Sequence, residues 1–218
     1  MRKTTVLSLL IPYHATPLLS HLLYYPLMAT RDDIITLPNA HLRQRSQKVG
    51  VITDEVKKLI ADMEAATLDW EDNREHEVGV ALAAVQIDKL YRVVVIRNNF
   101  DDKKDRRFLT LINPEITKYE GEEEEDFEGC LSVSDLYGKV MRHNKVRVKA
   151  LNIDGKPIRV TAEGFLARVM QHEIDHTNGI LFVDHIRDKP EAFFHLEDDG
   201  KLKPLHYEKA TKGLWPAA

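Results

Sequence analysis

The chain has 218 residues, 43% hydrophobic and 30% charged, with 31 basic and 35 acidic side chains and a formal net charge of −4. That length and apolar fraction fit one globular domain with a sizeable core, and the charge balance argues against a nucleic-acid-binding surface. The single cysteine, Cys130, rules out an internal disulfide and is compatible with a reducing cytosol.

Residues 1–30 differ in composition from the rest of the chain. No Asp or Glu precedes Asp32, and leucines crowd among Pro12, Pro17 and Pro26. Arg2 and Lys3 ahead of Val6–Ile11 imitate a secretory signal, the lack of acid imitates an organellar transit peptide, and Met28 offers an alternative start. Prolines and histidines break the apolar run too soon for a membrane span. Of the three readings a mis-assigned start takes the largest share, and all three leave residues 1–30 outside the core. Residues 31–187 are then the folded domain, and 188–218, weakly patterned, a carboxy-terminal tail.

Thr53, Asp54 and Glu55 open a helix with an apolar stripe of Val56, Leu59, Ile60 and Met63. The polar stretch Glu71–Glu77 leads into Gly79–Gln86, where small residues allow close backbone approach. Gln86 there reads first as a satisfied core amide and second as a donor facing a site. Tyr91–Arg97 and Phe108–Ile112 predict strands, and Pro114 predicts an edge strand around Ile116. Glu120–Glu128 packs seven acids into nine positions and reads as a solvated loop. Lys145–Leu151 and Pro157–Thr161 form a hairpin about Asp154 and Gly155. Strands first and a long helix afterwards predict an α+β fold, with antiparallel or mixed sheets packed around a central helix.

That helix spans 164–179: Phe165, Leu166, Val169 and Met170 recur at helical spacing and Gly179 supplies the stop. It carries His172-Glu173-Ile174-Asp175-His176. Imidazoles four apart share a helix face and can converge on one ion, while Glu173 is displaced enough to handle a proton without being a ligand. Asp175 points away from the two rings, as a partner or packing residue. Two imidazoles fall short of the usual three protein ligands, so a further donor has to come from elsewhere. The competing reading is an amphipathic helix with two surface histidines.

Three stretches in order carry a resemblance: Gly79-Val80-Ala81-Leu82-Ala83-Ala84-Val85-Gln86, Glu128-Gly129-Cys130-Leu131-Ser132 and Gln171-His172-Glu173-Ile174-Asp175-His176. With them the chain resembles the peptide deformylases, over roughly residues 34–186. The second and third motifs are complete; Ala81 stands where the family favours glycine, and Ser134 where many members carry proline.

The resemblance implies that Cys130 joins His172 and His176 around one divalent ion, iron(II) ahead of zinc, nickel or cobalt. A thiolate and two imidazoles leave one position for water, whose pKa an ion lowers from about 16 towards neutrality. It implies hydrolysis of the N-formyl group from the amino-terminal formylmethionine of newly made peptides, releasing formate. Glu173 would move the proton, Gln86 and the Leu131 backbone N–H would surround the developing oxyanion, and Gly79, Val80 and Ala81 would lie beside the substrate. Val169 is a weaker candidate for the methionine pocket, and Glu128 is expected to pair with a basic residue such as Arg142. The implied setting is a cytoplasmic monomer, or an organellar one if residues 1–27 are a transit peptide, without nucleic-acid or membrane binding, meeting its substrates at the ribosome. Two rivals are a zinc endopeptidase using Glu191 or Glu197 as third ligand, and a catalytically weak or silent peptide-binding homologue signalled by Ala81.

Overall fold

The computed structural model of the chain describes residues 28–215. Residues 1–27, on which the question of targeting turns, lie outside the described ones; Met28, the alternative start, is the first described residue.

Helix α1 (Asp54–Asp72) starts where expected, the Thr53 hydroxyl accepting from the Val56 N–H at 3.4 Å. Its stripe of Val56, Leu59, Ile60 and Met63 is buried and continues through Ala66. Strands β1 (Ala81–Ala83), β2 (Val93–Arg97), β3 (Phe108–Cys130), β4 (Val133–Leu151) and β5 (Pro157–Glu163) precede helix α2 (Gly164–Thr177). A helical turn α3 (Phe182–His185), strands β6 (Phe193–Leu196) and β7 (Leu202–Pro204), and a turn α4 (Tyr207–Ala210) complete the chain. The sheet order is β1-β2-β3-β4-β6-β7, with β5 also pairing β4. Every named pair is antiparallel; the one isolated bridge, Gln47 to Tyr91, is parallel. The expected α+β class is observed.

The sheet is covered on both faces where β2 runs, which is why that strand reads as an unbroken apolar run. Val93 and Val95 pack towards α1, and Val94 and Ile96 towards α2. Full burial of each such side chain stabilises the fold by about 1.5–3 kcal/mol. Helix α2 thus lies against the sheet with its inner face buried, from Ala167 to His176. It stops at Gly179, whose φ of 78° suits only glycine comfortably. The Ile180 N–H returns to Asp175 O at 3.1 Å and the Gly179 N–H to His176 O at 3.1 Å, closing the helix end.

Two expectations change. The acidic run is not a loop: it is the outer half of β3, paired to β4 from Glu123↔His143 to Gly129↔Tyr137. Glu122–Asp126 remain solvent-exposed, while Glu120 is half-buried and Glu128 buried, and β4 answers these last two with cations, Arg147 meeting Glu120 and Arg142 meeting Glu128. Pro114 does fall at an irregular stretch, in the register shift between Ile112 and Glu115, beyond the last residue of β3 that β2 pairs. The carboxy-terminal residues also pack rather than trail: β6 pairs with Leu136–Gly138 of β4, and Phe193 is fully buried.

Candidate metal centre

Two structural joints bring the motifs together. Cys130 ends β3, and a tight Leu131–Ser132 turn leads into β4, with Cys130 paired to Val133. Gly129 beside it packs against Tyr137: a Cβ there would come within 2.6 Å of the ring. On the other side α2 presents His172 and His176 from successive turns, on its buried face.

Cys130 Sγ lies 3.3 Å from His176 Nε2, which lies 3.2 Å from His172 Nε2. Sulfur and the two imidazoles all fall within 4.8 Å of one another, the one such cluster among the described residues. His172 turns its Nδ1 to Glu128 Oε2 at 2.9 Å, which aims Nε2 at the cluster; against burial, Cys130 and Glu128 raise its pKa well above the ordinary value, so an ion there would take the place of a proton. Burial pushes His176 well below its ordinary pKa, and so keeps it the neutral imidazole a metal requires. This soft, mixed S/N donor set fits a first-row divalent ion, and Cys130 could supply the third donor that the helix alone lacked.

Glu128 anchors the far side. Burial alone would raise its pKa, but His172 and the guanidinium of Arg142 hold the carboxyl well below the usual carboxylate range. Arg142 grips it with Nε at 2.9 Å and Nη2 at 3.1 Å, the expected pairing, while Arg168 Nη1 adds a contact at 2.9 Å. Asp175 faces away from the rings and accepts from Arg142 at 2.6 Å, with His185 at 2.8 Å.

Glu173 is 5% exposed, and its Oε2 has no hydrogen-bond partner among the described residues. Burial raises its pKa to about 7, so the group can both take and give a proton near neutrality. The Gln86 side chain accepts from the Ala83 N–H at 2.8 Å through Oε1. That fixes its amide NH2 towards Ser132 Oγ at 3.1 Å and Cys130 Sγ at 3.6 Å. A cavity of about 290 Å³ opens beside these groups, its apolar walls drawn from Val80, Phe127, Leu131, Phe165 and Val169.

Ala81 also lines that cavity and sits in regular strand without positive φ, so its methyl brings no backbone strain. Gly79 lies outside the lining. Its N–H donates to Glu71 at 3.1 Å, and a Cβ would come within 2.6 Å of Thr67 O, so it serves the packing of α1 against the strand. Glu191 and Glu197 do not join the cluster; Glu197 pairs with Lys203 at 3.0 Å.

The family model for polypeptide deformylase matches residues 31–192. The chain belongs to the polypeptide deformylase family. A peptide deformylase of Thermomicrobium roseum is 44% identical over 165 residues, covering 74% of this chain and 89% of that protein. Peptide deformylase 2 of Clostridium acetobutylicum is 44% identical over 67% of this chain and 89% of its own length. Among solved structures, a peptide deformylase from Legionella pneumophila superposes with a TM-score of 0.66 at 37% identity, over 86% of this chain and 94% of that one. One from Synechococcus elongatus, in complex with actinonin, gives 0.64 at 36% identity over 72% and 80%. The family is metal-dependent, and in this deformylase Cys130, His172 and His176 could hold the ion.

The sequence placed Ser132 in a motif without giving it a role, and did not single out Arg168 or the rim formed by Glu77, which receives the Tyr137 hydroxyl at 2.6 Å and Arg74 at 3.1 Å. Arg168 left one trace: it stands four residues before His172, on the same helix face.

Proposed function

We propose that this deformylase removes the N-formyl group from the amino-terminal formylmethionine of newly made peptides, releasing formate, with one divalent ion held by Cys130, His172 and His176. What carries the reading is the convergence of one sulfur and two imidazoles within 4.8 Å beside a buried carboxyl that has a free oxygen, in a chain of this family. An ion in that donor set supplies Lewis acidity and makes bound water a nucleophile near neutral pH.

The chain's own groups do the rest. Glu173, poised near 7, accepts the proton of the attacking water and returns it to the leaving amine. The Gln86 amide and the Leu131 backbone N–H are the donors for the oxygen as it becomes negative; such a donor is worth about 2.7–4 kcal/mol in the transition state. Val80 and Ala81 flank the peptide, and Phe127, Phe165 and Val169 receive the methionine side chain. Glu128 holds the His172 ring in register. We assign iron(II) as the native ion, a monomer as the working form, the cytoplasm as its place, and the nascent chain at the ribosome as its substrate. No helix among the described residues is long and apolar enough to cross a membrane.

The test is formate release from formyl-Met-Ala by protein purified and assayed without oxygen, with metal content measured in parallel. Turnover with about one iron per chain is expected, lost together with the metal in Cys130→Ala. An active Cys130→Ala protein that keeps its metal would overturn the ligand set, and no turnover by the loaded parent would favour a silent peptide binder.

A further inference from the structure

A second cleft, of about 280 Å³, lies against the other side of α2 and shares no lining residue with the cavity beside the metal centre. Ile174 and Asn178 of the helix region, Tyr119 and Glu115 of β3, and the cations Arg45, Lys48 and Arg92 surround it. Arg92 is 8% exposed, yet among the described residues its guanidinium meets only neutral acceptors: Asn178 Oδ1 at 2.9 Å and Pro114 O at 3.1 Å. Among the described residues, no carboxylate lies within 4.0 Å of Arg45, Lys48 or Arg92, and Glu115 is taken by Lys149 at 3.0 Å. Burial, and then the positive charge of Arg45, push Arg92 below its ordinary pKa, with Glu115 opposing.

Three cations against one carboxylate leave a surplus of two positive charges around this cleft, in a chain whose net charge is −4. At the end of α2 Arg92 meets the side-chain oxygen of Asn178, a neutral acceptor that does not cancel its charge. Arg45 and Lys48 are both exposed, and among the described residues neither is paired with a carboxylate. A buried cation among like charges is costly unless an anion joins it, and the planar guanidinium fork matches phosphate oxygens.

We propose that the cleft formed by Arg45, Lys48 and Arg92 binds a phosphate group, carried either on a small free phosphate compound or on an RNA backbone. The probe is inorganic phosphate, titrated into the zinc-loaded full chain in low-chloride buffer and followed by amide NMR shifts. Saturable shifts are expected at Asn113, Ile116, Tyr119 and Asn178, weakened by about tenfold or more in Arg45→Gln/Lys48→Gln, with formyl-Met-Ala turnover unchanged. Parallel titrations with adenosine monophosphate and with a short oligouridylate separate the two sources: the tighter binder identifies the carrier, and either result supports the site. The proposal is overturned if equimolar chloride reproduces the shifts, if they are confined to residues around Cys130 and His172, or if the double variant leaves them unaltered.

Discussion

Glu173 and Glu128 sit beside the same imidazole and are driven in opposite directions by their surroundings. Glu173, with no cation bonded to it and one bare oxygen, is raised to about 7. Glu128 is locked in its charged form by His172, Arg142 and Arg168. One carboxyl is thus free to carry a proton, and the other is fixed to hold geometry. Glu173→Gln should lower kcat by about 10²–10⁴, the usual value of a general acid–base, while zinc or iron content stays near one per chain. Parallel loss of metal would reassign the residue to holding the site. Glu128→Gln should instead weaken metal affinity by about 10–100-fold, read by competition with a chelator, since His172 loses its orienting partner. It should also cost about 3–5 kcal/mol of stability, because Arg168 and Arg142 are left under-compensated in the interior. The candidate ligands His172 and His176, with Glu173, could be read from the spacing of one short motif, and Cys130 through the family resemblance alone. Arg168 could not: its partner Glu128 is 40 residues away, and a single arginine on a helix gives no local sign of which carboxylate it will meet.

The long β3–β4 ribbon shows what local pattern can and cannot reveal at the level of an element. Its inner half was legible, as Lys145–Leu151 alternates cleanly and pairs with β5. Its outer half was not, because Glu122–Asp126 has neither alternation nor β-branched residues; the strand exists through pairing with β4 and through Arg168, which bonds the Glu124 carbonyl at 2.7 Å. Tertiary context decided there against intrinsic preference. Charge pairing across the ribbon brings a pH effect with it. Glu120, bonded first by Arg147 and then by Lys118, is lowered to about 2. A carboxyl whose folded pKa lies below its ordinary 4.5 contributes stability that is present above about 4.5 and is lost as pH falls towards 2. The Glu120 carboxyl carbon should therefore titrate near 2 by NMR, and Arg147→Gln should return the midpoint towards 4.5. A parent midpoint already near 4.5 would show that the pair does not form in solution.

For the whole molecule the question is where the cooperative unit ends. The weak pattern after residue 187 reads as a tail because its strands are only 4 and 3 residues long and its helix is a single turn. None of these is stable alone, so no periodicity develops. Their burial tells otherwise. Phe193 is fully enclosed with Leu136, Val140, Phe182 and Ile186, its ring is edge-on to Tyr207 at 5.6 Å, and Cys130 packs against the same cluster. Further along, Trp215 donates to Asp184 at 2.8 Å, and Arg43 reaches the Leu214 carbonyl at 2.8 Å. The segment therefore closes the core behind the turn that carries the thiol. Phe193→Ala should cost about 3–5 kcal/mol in urea unfolding, as a large aromatic lost from a packed interior does. The slope of the transition should stay constant, and metal should still bind the folded fraction, because no ligand is touched. A change below about 1 kcal/mol would be too small for a core aromatic and would return the domain boundary to residue 187.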